Sequence, residues 1–383
     1  MTAQNKYPLA ARFSLDPDRF QQLLDSLIAQ KYAVFGPTVG QNAVTYSQIT
    51  SIQQMPIGWS DEQNGGHYRL SKSSRPALFD YVVGQHSWKH VLYPAFGKLW
   101  SATKNERGFE VKAPSENGKP KVALLGVRPC ELKALAIHDQ ILTGGEFEDP
   151  FYRKIRSEAL IIAVNCARPG GTCFCASVGT GPKAYAGFDL ALTEVFHDGT
   201  HGLIVEIGSK RGEKLAAGLD LPPATEAETA AAQQTSDQAA KAMGRRLDTN
   251  QLKERLYANF DNTNWDKIAE RCLTCGNCTM VCPTCFCVNI QDTTDLTGTQ
   301  AERERRWDSC YSVNFSYIHG GSIRTSPYAR YRQWLMHKLA YWQDQFGVIG
   351  CVGCGRCITW CPVGIDITEE AAVLTTEDRH TRH

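Results

Sequence analysis

The chain has 383 residues, 42% hydrophobic and 21% charged, and its 41 Lys plus Arg against 40 Asp plus Glu leave a formal net charge of +1. That balance gives no whole-protein basis for binding nucleic acid or an anionic membrane, and no stretch approaches the roughly 18 apolar residues of a spanning helix. The start of the chain carries no apolar leader segment, so a cytoplasmic protein of two domains is expected, one that meets neither membrane nor nucleic acid.

In chain order, Asp16 and Pro17 form a helix start, and Phe20, Leu23, Leu24 and Leu27 recur behind them at helical spacing. Short strands are expected at 32–35 and 43–46. KVALLGV reads as a buried strand, stopped at Pro129 and followed by the amphipathic helix ELKALAIHDQIL; EALIIAV is a second buried strand, ending at Asn165 and Cys166. FDLALTEVF, GLIVEIG and the helix GEKLAAGL carry this alternation to about residue 220. Residues 222–248, rich in Ala, Thr, Gln and Glu, read as a solvated linker or an exposed helix. Beyond 249, TNQLKERLYANF, WDKIAERC and YARYRQWLMHKLAYWQDQF are helical and lead into cysteine motifs. The expected fold class is α+β, with an N-terminal α/β domain over 1–221, the linker 222–248, a mostly α-helical ferredoxin-like dicluster domain over 249–370 and a tail, 371–383.

Fifteen cysteines are the outlying count, and an odd number in a chain of this size favours metal binding over a disulfide framework. CLTCGNCTMVCP at 272–283 and CVGCGRCITWCP at 351–362 both fit C-x2-C-x2-C-x3-C-P, the spacing of bacterial two-cluster ferredoxins. Three thiolates on one tight loop face three irons of a cubane, and Gly276, Gly353 and Gly355 permit close backbone approach. The fourth cysteine, ahead of proline, serves the other cluster. One 4Fe-4S cluster is thus expected on Cys272, Cys275, Cys278 and Cys361, and a second on Cys351, Cys354, Cys357 and Cys282. A pair of zinc sites is the competing reading, but it leaves no use for a third cysteine at this register. Two clusters sharing motifs in this way lie close together, as single-electron transfer requires.

Cys130, after the strand in GVRPC, and Cys166, Cys173 and Cys175, in NCARPGGTCFC after the next strand, are expected to meet at one sheet end, with Gly170 and Gly171 turning the loop back. Four cysteines make a ligand set for a further cluster; a zinc site, an active-site thiol among buried ones and plain packing are the other readings. Cys285, Cys287 and Cys310 remain, one short of a set, and packing is the default for them.

No G-x-G-x-x-G follows a strand and opens a helix, GTGP at 179–182 fails that test, and there is no P-loop, so no nucleotide or flavin is expected on this chain. The histidines, His319 and His337 among them, show no ligand pairing. Between 301 and 338 the chain is basic, with Arg303, Arg305, Arg306, Arg324, Arg330, Arg332 and Lys338 interleaved with Trp307, Tyr328 and Trp334. This stretch reads as a solvated helix face or a docking face.

At GVRPCEL, at NCARPGGTCFCASVGTGP, and from WDSCY to CVGCGRCITWCP, the sequence resembles the beta subunits of soluble NAD(P)-linked nickel-iron hydrogenases of the sulfhydrogenase type, and equally the A subunits of anaerobic sulfite reductases. The likeness runs through YRL at 68–70 and VGQHSWK at 83–89. It implies a non-catalytic electron-transfer subunit that works beside a flavin subunit handling NAD(P)H and the nickel-iron small and large subunits or, on the other branch, a siroheme subunit. It also implies that Cys130, Cys166, Cys173 and Cys175 ligate an additional N-terminal 4Fe-4S cluster. A redox-sensing or scaffold role, and a self-contained enzyme at the N-terminal cysteines, are the rival readings.

Overall fold

The computed structural model describes residues 8–82, 84–114, 121–197 and 199–376. The readings on residues 1–7, on Val83 within VGQHSWK, and on 377–383 of the tail lie outside the described residues.

β1 (Arg12–Leu15) leads into a 3-10 turn, Pro17–Arg19, where Asp16 accepts from the Asp18 N–H at 2.9 Å, and then into α1 (Phe20–Ala29). β2 (Tyr32–Gly40) and β3 (Ala43–Gln48) run further than their apolar cores because they pair as a hairpin, from Phe35↔Gln48 to Gly40↔Ala43. The hairpin β4 (Trp59–Asn64) and β5 (His67–Lys72), the short α2 (Lys89–Leu92), and the hairpin β6 (Phe96–Asn105) and β7 (Gly108–Lys112) follow. Then come β8 (Lys121–Val127), α3 (Pro129–Leu142), α4 (Pro150–Glu158), β9 (Leu160–Val164), β10 (Leu190–His197), β11 (Thr200–Ile207) and α5 (Lys210–Leu219).

One seven-stranded sheet, in the order β1-β11-β10-β9-β8-β2-β3, organises this part. β2, β8, β9 and β10 are parallel, and β3, β11 and β1 join them antiparallel at the edges. The central strands are covered on both faces, which is why KVALLGV and EALIIAV are continuous apolar runs rather than alternating ones. Phe20, Leu23, Leu24 and Leu27 of α1 pack with α5 on one face, against Leu125, Ile162 and Leu192. Leu124, Val127 and Ile161 meet Leu132, Leu135 and Trp88 on the other. Each such leucine contributes roughly 1.5–3 kcal/mol of burial.

The segment expected as a linker holds α6 (Glu226–Lys241), started by a Thr225–Glu228 capping box. It is a packed helix rather than a free connector. Ala232, Ser236 and Ala239 are buried, and Ala232 sits against Val195 and Ile204 of β10 and β11, where small side chains allow close approach.

The C-terminal part holds α7 (Leu252–Ala258), α8 (Asn264–Arg271), α9 (Asn277–Met280), the strands β12 (Val288–Thr294) and β13 (Gln300–Trp307), and α10 (Pro327–Met336). From α10 the chain runs through a π-helical turn, His337–Tyr341, to α11 (Trp342–Phe346), α12 (Arg356–Thr359) and α13 (Ile367–Leu374). The hairpin of β12 and β13 adds strands to a part expected to be mostly α-helical. β13 pairs with β6, giving a second sheet, β12-β13-β6-β7, that joins a hairpin of the N-terminal part to one of the C-terminal part. It also corrects the reading of the basic stretch, whose first residues form a strand with their charges paired. Arg303 meets Asp292 at 2.6 Å and Arg305 meets Asp149 at 2.7 Å. No helix among the described residues is long and apolar enough to cross a membrane.

Candidate iron-sulfur centres

The two ferredoxin-type motifs fold alike. Between Cys272, at the end of α8, and the start of α9, Thr274 (φ 50°) and Gly276 (φ 77°) turn the backbone left-handed. In the second motif Gly353 (φ 63°) and Gly355 (φ 74°) take the same two places ahead of α12. Thr274 shows that the first of these turns can carry a side chain. Gly353 must not, because a Cβ there would stand 2.7 Å from backbone atoms of Cys175. Its N–H points inward and donates to Cys351 Sγ at 3.4 Å.

A cavity of about 30 Å³ is lined by Cys272, Cys275, Cys278 and Cys361 together with Tyr311, Tyr331 and Trp334. A second, of about 20 Å³, is lined by Cys282, Cys351, Cys354 and Cys357 with Phe174, Trp334 and Lys338. Each brings three cysteines of one motif together with the last cysteine of the other, and Trp334 and Cys357 border both. Among the described residues no carboxylate lines either cavity and cysteine sulfur is the main donor, a set that suits zinc or an iron-sulfur cluster. Among the described residues, no group of three or more His, Cys, Asp and Glu side chains closes around a position for a single metal ion.

The two cavities differ in their access to solvent. Cys275 and Leu273 are exposed at the rim of the first, whereas Cys354 and Phe174 of the second are buried. Burial pushes the Cys351 thiol up to about 12 and raises Cys278 and Cys357 as well, so giving up these protons requires a cationic partner. Cys282 is the exception in its quartet: the adjacent Cys285 thiol, and then Lys338, hold it low. The Lys338 ammonium donates to Thr284 Oγ1 at 2.7 Å, and that oxygen lies 3.2 Å from Cys282 Sγ.

The N-terminal cysteines owe their placement to topology. β8 and β9 are adjacent and parallel, in register at Ala123↔Leu160, so Cys130 and Cys166 leave the same edge of the sheet. The Cys173 N–H donates to Gly170 O at 3.0 Å, turning the loop back as expected. Cys130, Cys166, Cys173 and Cys175 are all buried and within electrostatic reach of one another, with Cys354 of the second cavity beside them. Backbone bonds stitch this loop to the second motif. The Phe174 N–H donates to Gly353 O at 2.8 Å, and Thr180 Oγ1 donates to Val352 O at 2.7 Å. Burial pushes the Cys173 thiol up to about 12, while the buried Arg128 guanidinium stands next to Cys166 and offsets part of the same effect there.

Cys285 lies against Cys282, Cys287 neighbours Cys310, and Cys310 packs at the edge of the C-terminal core. Lys338, read as one member of a basic stretch, is 3% exposed, and the signal that could have singled it out is its place in WLMHKLAYW, a lysine inside an apolar helix. Nothing in the spacing marks Lys89, which is brought to Cys285 by the approach of α2. His337 lies beside Phe286 and Trp342 and is no part of a ligand set.

Residues 271–365 match the protein family described as a 4Fe-4S dicluster domain, so all eight cysteines of the two motifs fall within a domain that binds 4Fe-4S clusters. The chain is 34% identical over 253 residues to the sulfhydrogenase 2 subunit beta of Pyrococcus furiosus, covering 65% of this chain and 73% of that one. No solved structure matches the chain.

Proposed function

The chain belongs to the family of sulfhydrogenase beta subunits, and from that membership we propose that it relays single electrons within an oxidoreductase complex, between a flavin subunit that handles NAD(P)H and a nickel-iron hydrogenase module. The observation that carries this reading is the pair of adjoining thiol-lined cavities with Trp334 and Cys357 common to both.

A 4Fe-4S cluster bound in such a site supplies a reversible one-electron step. In this reading Cys272, Cys275, Cys278 and Cys361 hold one cluster, and Cys351, Cys354, Cys357 and Cys282 hold the next. Tyr311, Tyr331 and Trp334 exclude water from the first site. The Gly353 N–H at Cys351 Sγ and the Ile365 N–H, 3.3 Å from Cys361 Sγ, stabilise thiolate charge and so favour the reduced state. The exposed rim at Leu273 and Cys275 is where a partner would exchange electrons. In the same reading Cys130, Cys166, Cys173 and Cys175 hold a third cluster beyond the enclosed second site, and the packing of Cys354 with Cys130, Cys173 and Cys175 supports that order.

The test is anaerobic isolation of the chain with whatever chains accompany it, followed by metal analysis. About twelve irons per chain, no zinc, and nickel on another chain are expected. About eight irons with one zinc would make the N-terminal site structural, and siroheme in place of nickel would move the complex to sulfite reduction. Full NAD(P)H-linked turnover in a Cys278→Ser complex would overturn the relay itself.

A further inference from the structure

Cys285, Cys287 and Cys310 belong to neither quartet and stand apart from the four N-terminal cysteines. All three are partly buried. Cys287 precedes β12, and its carbonyl accepts from the Asp308 N–H at 2.9 Å, which brings Cys310, two residues further on, alongside it. The Cys287 and Cys310 thiols lie side by side, close enough to share a proton. Cys285 leans the other way, toward Cys282 of the second quartet. Cys310 is followed by Tyr311, which lines the first cavity. The pair therefore sits next to both quartets.

Two buried cations face this group. Lys89 is 4% exposed; its ammonium donates to Cys285 O at 3.0 Å and stands 3.8 Å from the centre of the Trp307 ring. Lys338 donates to Thr284 Oγ1, and among the described residues neither lysine pairs with a carboxylate. A buried ammonium favours negative charge on its neighbours. The shared proton with Cys310, followed by Lys338 and Lys89, holds the Cys287 thiol down to about 7. Three thiols are one short of a tetrahedral set, and no group of His, Cys, Asp and Glu among the described residues closes around an ion here. A disulfide needs only the pair.

We propose that Cys287 and Cys310 form a redox-active dithiol and disulfide couple, a two-electron store beside the one-electron sites. Oxidation takes two electrons and two protons from the two thiols and forms one S–S bond. The electrons leave one at a time to the adjoining 4Fe-4S sites, and the protons leave to solvent past the partly exposed thiols. Reduction by the same sites reverses each step. The buried lysines favour the Cys287 thiolate, which loses the first electron; the Cys310 sulfur, giving up its proton, bonds to the resulting thiyl radical, and the second electron leaves from the S–S bond so formed. The inference rests on the relay proposed above for its source of electrons.

The test uses the full chain in its complex, poised anaerobically with dithionite or ferricyanide, quenched in acid, unfolded in N-ethylmaleimide and mapped by peptide mass spectrometry. A Cys287–Cys310 crosslink is expected in the oxidised sample and is lost in the reduced one. The ratio of free to linked pair should change tenfold for about 30 mV, the slope of a two-electron couple. Cys287→Ser and Cys310→Ser chains should keep the iron content of the unaltered chain. Two alkylated thiols at both potentials overturn the couple, and so does a loss of about four irons in either variant, which would make these cysteines cluster ligands. Failure of the relay would appear separately, as a low iron count in the unaltered chain.

Discussion

Glu131 and Arg356 form an ion pair closed to solvent at both ends, their side chains 1% and 0% exposed, between residues 225 apart in the chain. Glu131 follows Cys130, and Arg356 precedes Cys357, so the pair ties the N-terminal cysteine loop to the second ferredoxin-type motif. The same guanidinium donates to Gly84 O at 2.8 Å and His86 O at 2.9 Å. Replacing Glu131 by Gln leaves a buried cation without its anion, and a loss of about 3–5 kcal/mol is expected. It should appear as a lower urea midpoint with an unchanged m value. A Glu131→Leu, Arg356→Met double variant should recover much of that loss, and if it is no more stable than the single variant, the pair is not what holds the two parts together.

The crossed cavities make a prediction about spectra. Cys361 belongs to the second motif but lines the first cavity with Cys272. The Cys361→Ser and Cys272→Ser proteins should therefore perturb the same paramagnetic signal of the dithionite-reduced chain. Cys282→Ser and Cys351→Ser should together perturb the other. Signals grouping by motif instead would mean that the crossing does not occur.

Gly353→Ala should be costly where Thr274→Ala is not. At Gly353 the added Cβ meets Cys175 backbone atoms at 2.7 Å with φ at 63°, so left-handed strain of roughly 1–2 kcal/mol adds to overpacking of roughly 1–3 kcal/mol. Thr274 already carries a side chain at φ 50°, and its replacement should change stability by less than about 1 kcal/mol. Thermal midpoints of the two variants, with iron retained per chain, compare these expectations directly.

His138 gives a pH dependence. It is 1% exposed, and burial, followed by the charges of Lys89 and Lys338, lowers it from the usual 6.5 to about 3. Between those values the unfolded chain binds a proton that the folded chain does not. The contribution to stability is therefore complete above the unfolded value and is lost as pH falls through the window, at up to about 1.4 kcal/mol per unit. Urea midpoints at about pH 7.5 and about pH 5.5 should differ for the unaltered chain and differ less for His138→Gln. Equal differences in the two proteins would assign the acid sensitivity elsewhere.

The two cysteine motifs were legible in the sequence, because C-x2-C-x2-C-x3-C-P specifies a tight loop through local backbone geometry alone. β8, β9 and α1 were legible for a similar reason, since their apolar runs have the period of the element they form. QAERERRW was not. Its charges are matched by ion pairs, with Arg303 and Glu302 pairing across to neighbouring strands and Arg305 to Asp149, and its other neighbour, β6, lies some 200 residues earlier, so no local apolar pattern marks it as a strand. The positions of Lys89, Lys338, Glu131 and Arg356 were settled only by tertiary structure. Ligand spacing is a property of consecutive residues, whereas the charge that a buried side chain meets depends on which distant segments pack against it.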